Sequence, residues 1–299
     1  SFNQSVSINQ NSSTLQTNLE YQEPSPGYQY EFQEILDNAS TYTQNSMFNT
    51  LTWTQTTSPK TYYEIKLNKF FTTLRVDANG TNWTDYIEPL DVTKPPFTYY
   101  QINSQTSGLI PGDGFYDVGN AYTWHDHYVE DYSAKIDYSH NFSTRNKFKA
   151  GVEATFQTMQ LVDIYQPWIQ PLGLNNDVYT VYPAFGDFYA QQSLTFKGMI
   201  LNYGLRLDYW FPGKYVDDAV QDTNVVTIPN QTRIAYEEDT YNIFGQRAKL
   251  NLSPRIGISH PVSNNQTLFF SYGHFSKRPK PQFVYAKLNP QTAEATFQK

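Results

Sequence analysis

The sequence predicts an all-β chain, part of an antiparallel up-and-down transmembrane β-barrel, and three observations carry that class. Apolar and polar residues alternate with period two over runs longer than the ~5–6 residues of an ordinary soluble strand. Short polar turns alternate with long irregular connections, so in an up-and-down sheet all the turns fall at one end and all the long loops at the other, as in outer-membrane barrels. Aromatic residues gather near strand ends, at Phe70 and Phe71, Tyr209 to Phe211, and Phe269, Phe270, Tyr272 and Phe275, where interfacial girdles would place them.

In chain order, a strand is expected near 1–10, and segment 29–39 has apolar spacing nearer 3.6, with Phe32, Ile35, Leu36 and Ala39 on one side, so it reads as a short helix or ordered loop piece. Strands over 42–56 and 60–75 flank the turn Ser58-Pro59-Lys60. The strand 129–142 contains Tyr132, Ala134, Ile136 and Tyr138 opposing Asp131, Ser133, Lys135 and Asp137. After the turn Ser143 to Asn146 comes 146–160, where Phe148, Ala150, Val152, Ala154 and Phe156 oppose Lys149, Gly151, Glu153, Thr155 and Gln157. Strands 185–196 and 199–212 meet at Lys197-Gly198; the second sets Leu201, Tyr203, Leu205, Leu207 and Tyr209 against Asn202, Gly204, Arg206 and Asp208. Strands 247–260 and 266–276 meet at Ser263-Asn264-Asn265. The long outer loops are expected at about 77–128, 163–183, 213–246 and 277–299, and the whole of 1–299 reads as one partial barrel domain with no plug.

Composition narrows the function classes. The 299 residues carry 20 Phe, 5 Trp and 25 Tyr, no Cys and a net charge of −7, yet the mean hydropathy is −0.61. A chain this aromatic is not disordered, and without a basic field it has no footprint for nucleic acid. The lack of cysteine excludes disulfides and thiolate metal sites. No apolar run approaches the ~18 residues of a membrane helix. No charged-then-apolar leader opens the chain at Ser1, so it is expected to be mature, a fragment or cytosolic.

Both charge signs lie within the strand bodies on the polar face, so Glu64, Lys66, Lys135, Asp137, Lys149, Glu153, Arg206, Asp208 and Arg255 are the candidates for lining a lumen. Among the loop aromatics, Trp83, Tyr99, Tyr116, Trp124 and Trp168 could stack on sugar rings, grip an apolar ligand or pack loop against loop. His125-Asp126-His127, with Glu130 and Asp131 behind, is the sharpest polar cluster: imidazoles at i and i+2 share one strand face and could take a metal with a carboxylate. Such loop-end charges are usually solvated, so neither a metal nor a cofactor is expected. Pro111-Gly112-Asp113-Gly114 with Asp117 lacks the ligand spacing of a calcium loop. Nucleophile-elbow, phosphate-loop, dinucleotide and zinc-protease motifs are all missing, so no enzyme and no catalytic residue is expected.

Leu252-Ser253-Pro254-Arg255-Ile256-Gly257-Ile258-Ser259-His260-Pro261-Val262-Ser263, followed by Leu268-Phe269-Phe270-Ser271-Tyr272-Gly273-His274-Phe275, resembles a barrel stretch of TonB-dependent outer-membrane receptors. The likeness is to the Bacteroidetes-type, SusC-like branch that carries an N-terminal carboxypeptidase-regulatory-like domain. The hairpin from Phe196 to Tyr209, and Pro26-Gly27-Tyr28 leading into Glu34 to Ala39, are weaker echoes. The resemblance implies a barrel of about 22 strands closed by a plug. It also implies import of a scarce nutrient (siderophore, glycan or peptide) and drive from a periplasmic TonB energy-transducing complex through an N-terminal box. Outer-membrane lipid and a surface lipoprotein lid are the other implied partners, and the Gram-negative outer membrane the implied location. The chain departs from that pattern, with about eight to ten strands, neither plug nor box, and an end at Ala295 to Lys299 within a loop, so an internal piece of a larger receptor is expected. Two other classes stand beside it. One is a complete ten-stranded omptin-like membrane enzyme with His125, Asp126, Asp113 or Asp117 activating water at the rim. The other is a soluble aromatic-rich carbohydrate-binding β-sandwich.

Overall fold

The computed structural model describes residues 3–18, 30–93, 97–102, 107–263, 265–286 and 288. Pro26 to Gln29, Asn264 and 289–299, which the sequence reading used, lie outside the described residues. The strands are β1 (Asn3–Asn18), β2 (Thr41–Ser58), β3 (Thr61–Asp77), β4 (Thr98–Ile102), β5 (Ser107–Pro111), β6 (Thr123–Ser143), β7 (Asn146–Tyr165), β8 (Leu174–Val181), β9 (Ala184–Phe196), β10 (Met199–Phe211), β11 (Tyr241–Ile243), β12 (Gln246–Ser263) and β13 (Gln266–Gly273). Two helices, α1 (Lys214–Gln221) and α2 (Asn230–Asp239), lie between β10 and β11.

The fold is mostly antiparallel β. One sheet runs β1-β2-β3-β6-β7-β9-β10-β12-β13, with β8 on the far end of β7 and β11 on the start of β12. Among the described residues the sheet does not close into a barrel: β1 pairs only with β2 and β13 only with β12. β4 and β5 form a separate hairpin. The short turns expected at 58–60, 143–146 and 197–198 are present, and β12 pairs with β13 as the fourth turn requires.

Register continues the period-two pattern from strand to strand. Ile65 faces Ile136, which faces Val152, which faces Phe188. Phe188 faces Leu207, and Leu207 faces Leu252. One side of the sheet is therefore apolar and the other polar, as the alternation requires. On the apolar side Leu205 is 55% exposed, Leu252 58% and Phe156 65%, so among the described residues nothing covers the apolar side of this half of the sheet.

The long-loop end is different, and here the structure corrects the expected elements. β6 begins at Thr123 and β7 runs to Tyr165, well beyond the predicted strand bounds. The expected loop 163–183 is a hairpin whose return strand, β8, pairs Met159 with Val181 and Asp163 with Asp177. The run Leu174-Asn175-Asn176-Asp177 reads as loop by composition, yet it sits on a strand edge that tertiary pairing supplies. Segment 213–246 is not irregular either, since it holds both helices. Arg233 of α2 donates to the carbonyls of Ala219 and Val220 at the C-terminal end of α1 and to those of Val225 and Ile228 in the connection between the helices. The segment expected at 29–39 as a short helix or ordered loop piece holds, over its described residues 30–39, two 3-10 turns, Tyr30–Phe32 and Leu36–Asn38, held by Ala121 N–H on Asn38 O and Tyr116 N–H on Glu31 O.

Three apolar cores lie at this end. On the polar-face side, Met159, Tyr179 and Val181 are covered by Val216, Ala219 and Val220 of α1 and by Tyr285 and Leu288. On the other side, Trp124, Val162 and Ile164 pack against Ala78, Tyr86 and Leu172. Phe32, Ala39 and Ala121 form a third with Tyr116 and Tyr122. The segment after β13, expected as an outer loop from 277, folds back over the sheet: Tyr285 donates to Pro212 O at 3.0 Å, and the Arg278 guanidinium stacks 3.2 Å from the Phe185 ring.

Candidate functional site

The polar face is the site that the strands build. Cross-strand registers set Glu64, Asp137, Gly151, Tyr189, Arg206 and Ser253 in one lateral row, and Lys66, Lys135, Glu153, Asp187, Asp208 and Asn251 in the next. Opposite charges meet between these rows. Lys66 pairs with Glu64 at 2.7 Å and Lys135 with Asp137 at 3.5 Å. Arg206 forks, its Nη2 donating to Asp187 at 2.9 Å and its Nε to Asp208 at 2.8 Å.

Gly151 makes a further contact on this face possible. A Cβ there would meet the Tyr189 ring at 2.4 Å and Asp137 Oδ1 at 2.8 Å. Its absence lets the Tyr189 side chain cross the row and donate to Asp137 at 2.5 Å.

The nine charged residues expected on this face all carry its parity. Lys149 has no ion pair among the described residues, and Arg255 lies over the Phe275 ring at 5.0 Å. Sequence reasoning missed Asp187, which is 6% exposed and the partner of Arg206. The alternation of Phe185-Gly186-Asp187-Phe188-Tyr189 carried the signal, because it assigns Asp187 to the face of Tyr189.

Two of the cavities on this face carry several charged side chains. The one of about 660 Å³ is lined by Lys135, Lys147, Lys149, Arg206 and Arg255 together with amide and hydroxyl groups, and no carboxylate joins them. The other, of about 410 Å³, mixes Glu153, Asp187 and Asp208 with Arg206, Lys249 and Arg278. The first suits anionic groups, whereas the second presents both signs to whatever enters.

At the long-loop end the structure joins two predicted residues to a third. His125 Nδ1 and His127 Nε2 each lie 2.6 Å from Asp163 Oδ1. Burial opposes the ionised form of Asp163, but the two histidine contacts outweigh it and hold the carboxyl well below the usual range. Burial, with Asp177 and Asp163 adding, pushes the nearby Tyr179 hydroxyl up to about 12. Counting outward from the Ser143–Asn146 pair sets Ile164 opposite His125, and only the register shift between Asn141 and Ser143 moves Asp163 into that place, so the turn spacing did not reveal it. Asp126 is on the other face with Arg75, at 3.6 Å.

The loop aromatics are mostly committed to packing. Trp124 is 4% exposed, its ring under the Arg75 guanidinium at 4.0 Å, and Trp83 and Trp168 pack on the same core. Tyr116 shares a 2.6 Å hydroxyl contact with Tyr122 and lies 4.9 Å from the Phe32 ring. Tyr99 stands apart from them on the β4–β5 hairpin, against Gly114. No family model, curated protein or solved structure matches this chain.

Proposed function

We propose that the sheet is part of the wall of an outer-membrane β-barrel, with its apolar side toward lipid, its polar side toward the lumen and its long loops outside the cell. The observation that carries this reading is the unburied apolar side, which persists from β3 to β13 only in the half of the sheet next to the short turns. A contiguous apolar surface of this kind needs a partner, and lipid is one that also matches the band between Phe148 and Phe156, about the ~9–11 residues of a tilted span. Open edges at β1 and β13 would leave backbone groups unsatisfied in lipid, so further strands close the wall.

The TonB-dependent uptake receptor is the member of this class that the Ser253-Pro254-Arg255-Ile256-Gly257-Ile258-Ser259 run suggests. In that reading the basic cavity around Lys147, Lys149 and Arg255 receives carboxylates of a plug or of an anionic nutrient, and the loops make first contact with substrate. The protein is expected to fractionate with outer membranes and to need detergent to stay monodisperse. A folded, monodisperse protein in detergent-free buffer would sink the proposal and favour the soluble sandwich.

A further inference from the structure

The cluster at His125, His127 and Asp163 has a chemistry that a wall does not require. Residues two apart on β6 project to one face, and the β6–β7 register sets Asp163 directly opposite His125. One donor atom from each side chain lies within 4.8 Å of the other two. The three side chains keep 25%, 30% and 35% of their surface accessible, so one side of the cluster opens to solvent.

We propose that His125, His127 and Asp163 form a binding site for a divalent transition metal of the zinc type. Two imidazoles and a carboxylate suit such an ion, whereas calcium and magnesium ask for oxygen ligands throughout. Bonds of about 2.0–2.2 Å set neighbouring ligand atoms roughly 3.3–3.5 Å apart, so Asp163 Oδ1 has to draw back from its 2.6 Å contacts by under about 1 Å. His125 coordinates through Nδ1 with its proton on Nε2, and His127 through Nε2 with its proton on Nδ1. Three protein ligands leave a position for water or for a donor atom of a solute, the pattern of an open rather than a closed structural site. Asp177, across the β7–β8 register from Asp163, adds negative charge to the neighbourhood.

The test uses the full chain in detergent micelles, titrated with Co²⁺ as a spectroscopic probe and then with Zn²⁺ as competitor. One equivalent of Co²⁺ is expected to give visible d–d absorption that Zn²⁺ abolishes. The pair His125→Gln, His127→Gln keeps hydrogen-bond donors toward Asp163, so the loop end stays folded, as near-ultraviolet circular dichroism checks. This variant is expected to lose the absorption and to bind Zn²⁺ more weakly than the roughly 10–100-fold loss caused by removing an outer-shell partner. His140→Ala with His260→Ala, both remote at the short-turn end, is expected to leave binding unchanged. A folded wild type with no Co²⁺ spectrum, or a spectrum that survives in the double glutamine variant, overturns the site.

Discussion

The two halves of the same strands solve opposite problems. Near the short turns, β6 and β7 show Ile136, Val152 and Phe156 to the surroundings and hold their charges on the other face. Near the long loops, the same outward parity on the same two strands carries Trp124, Val162 and Ile164, with Ile164 only 1% exposed beneath chain that has folded over it. The same strands are thus uncovered by the described residues on one half and packed under a core of their own on the other, as the proposed wall, in lipid below and water above, requires. The boundary is marked by Lys69, Glu130 and Tyr132, where an ion pair of 2.9 Å and a ring under the ammonium at 5.0 Å end the apolar band.

The sharpest break in that contrast is at Trp124. Trp124→Ala is expected to cost about 3–5 kcal/mol in the stability of the loop end, because a large cavity opens in a packed core. Membrane insertion is expected to be unaffected; hydrogen exchange of the outer half against retained heat-modifiable gel migration checks both. Leu205→Arg, in the uncovered half, is expected to cost about 2–4 kcal/mol if it lies near the bilayer midplane. Denaturant titration in lipid vesicles measures it, with exposed loop residue Val226→Arg as a neutral control. Equal tolerance at both positions would erase the difference between the halves.

Arg206→Met tests the polar face. It leaves Asp187 buried without its guanidinium, at an expected cost of about 1–3 kcal/mol in the same titration, and the double variant with Asp187→Asn recovers part of it. The smallest effect belongs to Glu31. Burial lifts its carboxyl above the ordinary value, against a hydrogen bond from Tyr116. The fold thus favours the protonated acid, so docking of 30–39 is firmest below about pH 4.3 and weakens as pH rises through the raised value. Hydrogen exchange at the Ala121 amide, corrected for intrinsic rate, is expected to follow that trend and to lose it in Glu31→Gln.

Sequence pattern revealed the half of the molecule in which burial is one-sided. Where one face is apolar and uncovered and the other is polar, residues alternate cleanly, as from Phe148 to Gln157, and strand, facing and turn follow. At the long-loop end both faces are covered, so Trp124 and His125 are neighbours with equally good places to go and the alternation no longer tells strand from loop. β8 was hidden for that reason, and Asp163 with it. The charged rows were visible residue by residue, but the fork from Arg206 to Asp187 depends on a cross-strand offset that spacing within one strand does not contain.

The absence of cysteine makes the decisive measurement a clean one. Single cysteines at Leu205, Leu252, Arg206 and Val226 carry nitroxide labels in the protein embedded in lipid vesicles, and their collision rates with oxygen and with a water-soluble relaxant are compared. Labels at Leu205 and Leu252 are expected to meet oxygen and escape the polar relaxant, while those at Arg206 and Val226 meet the relaxant. Water-like accessibility at all four sites would contradict a lipid-facing wall.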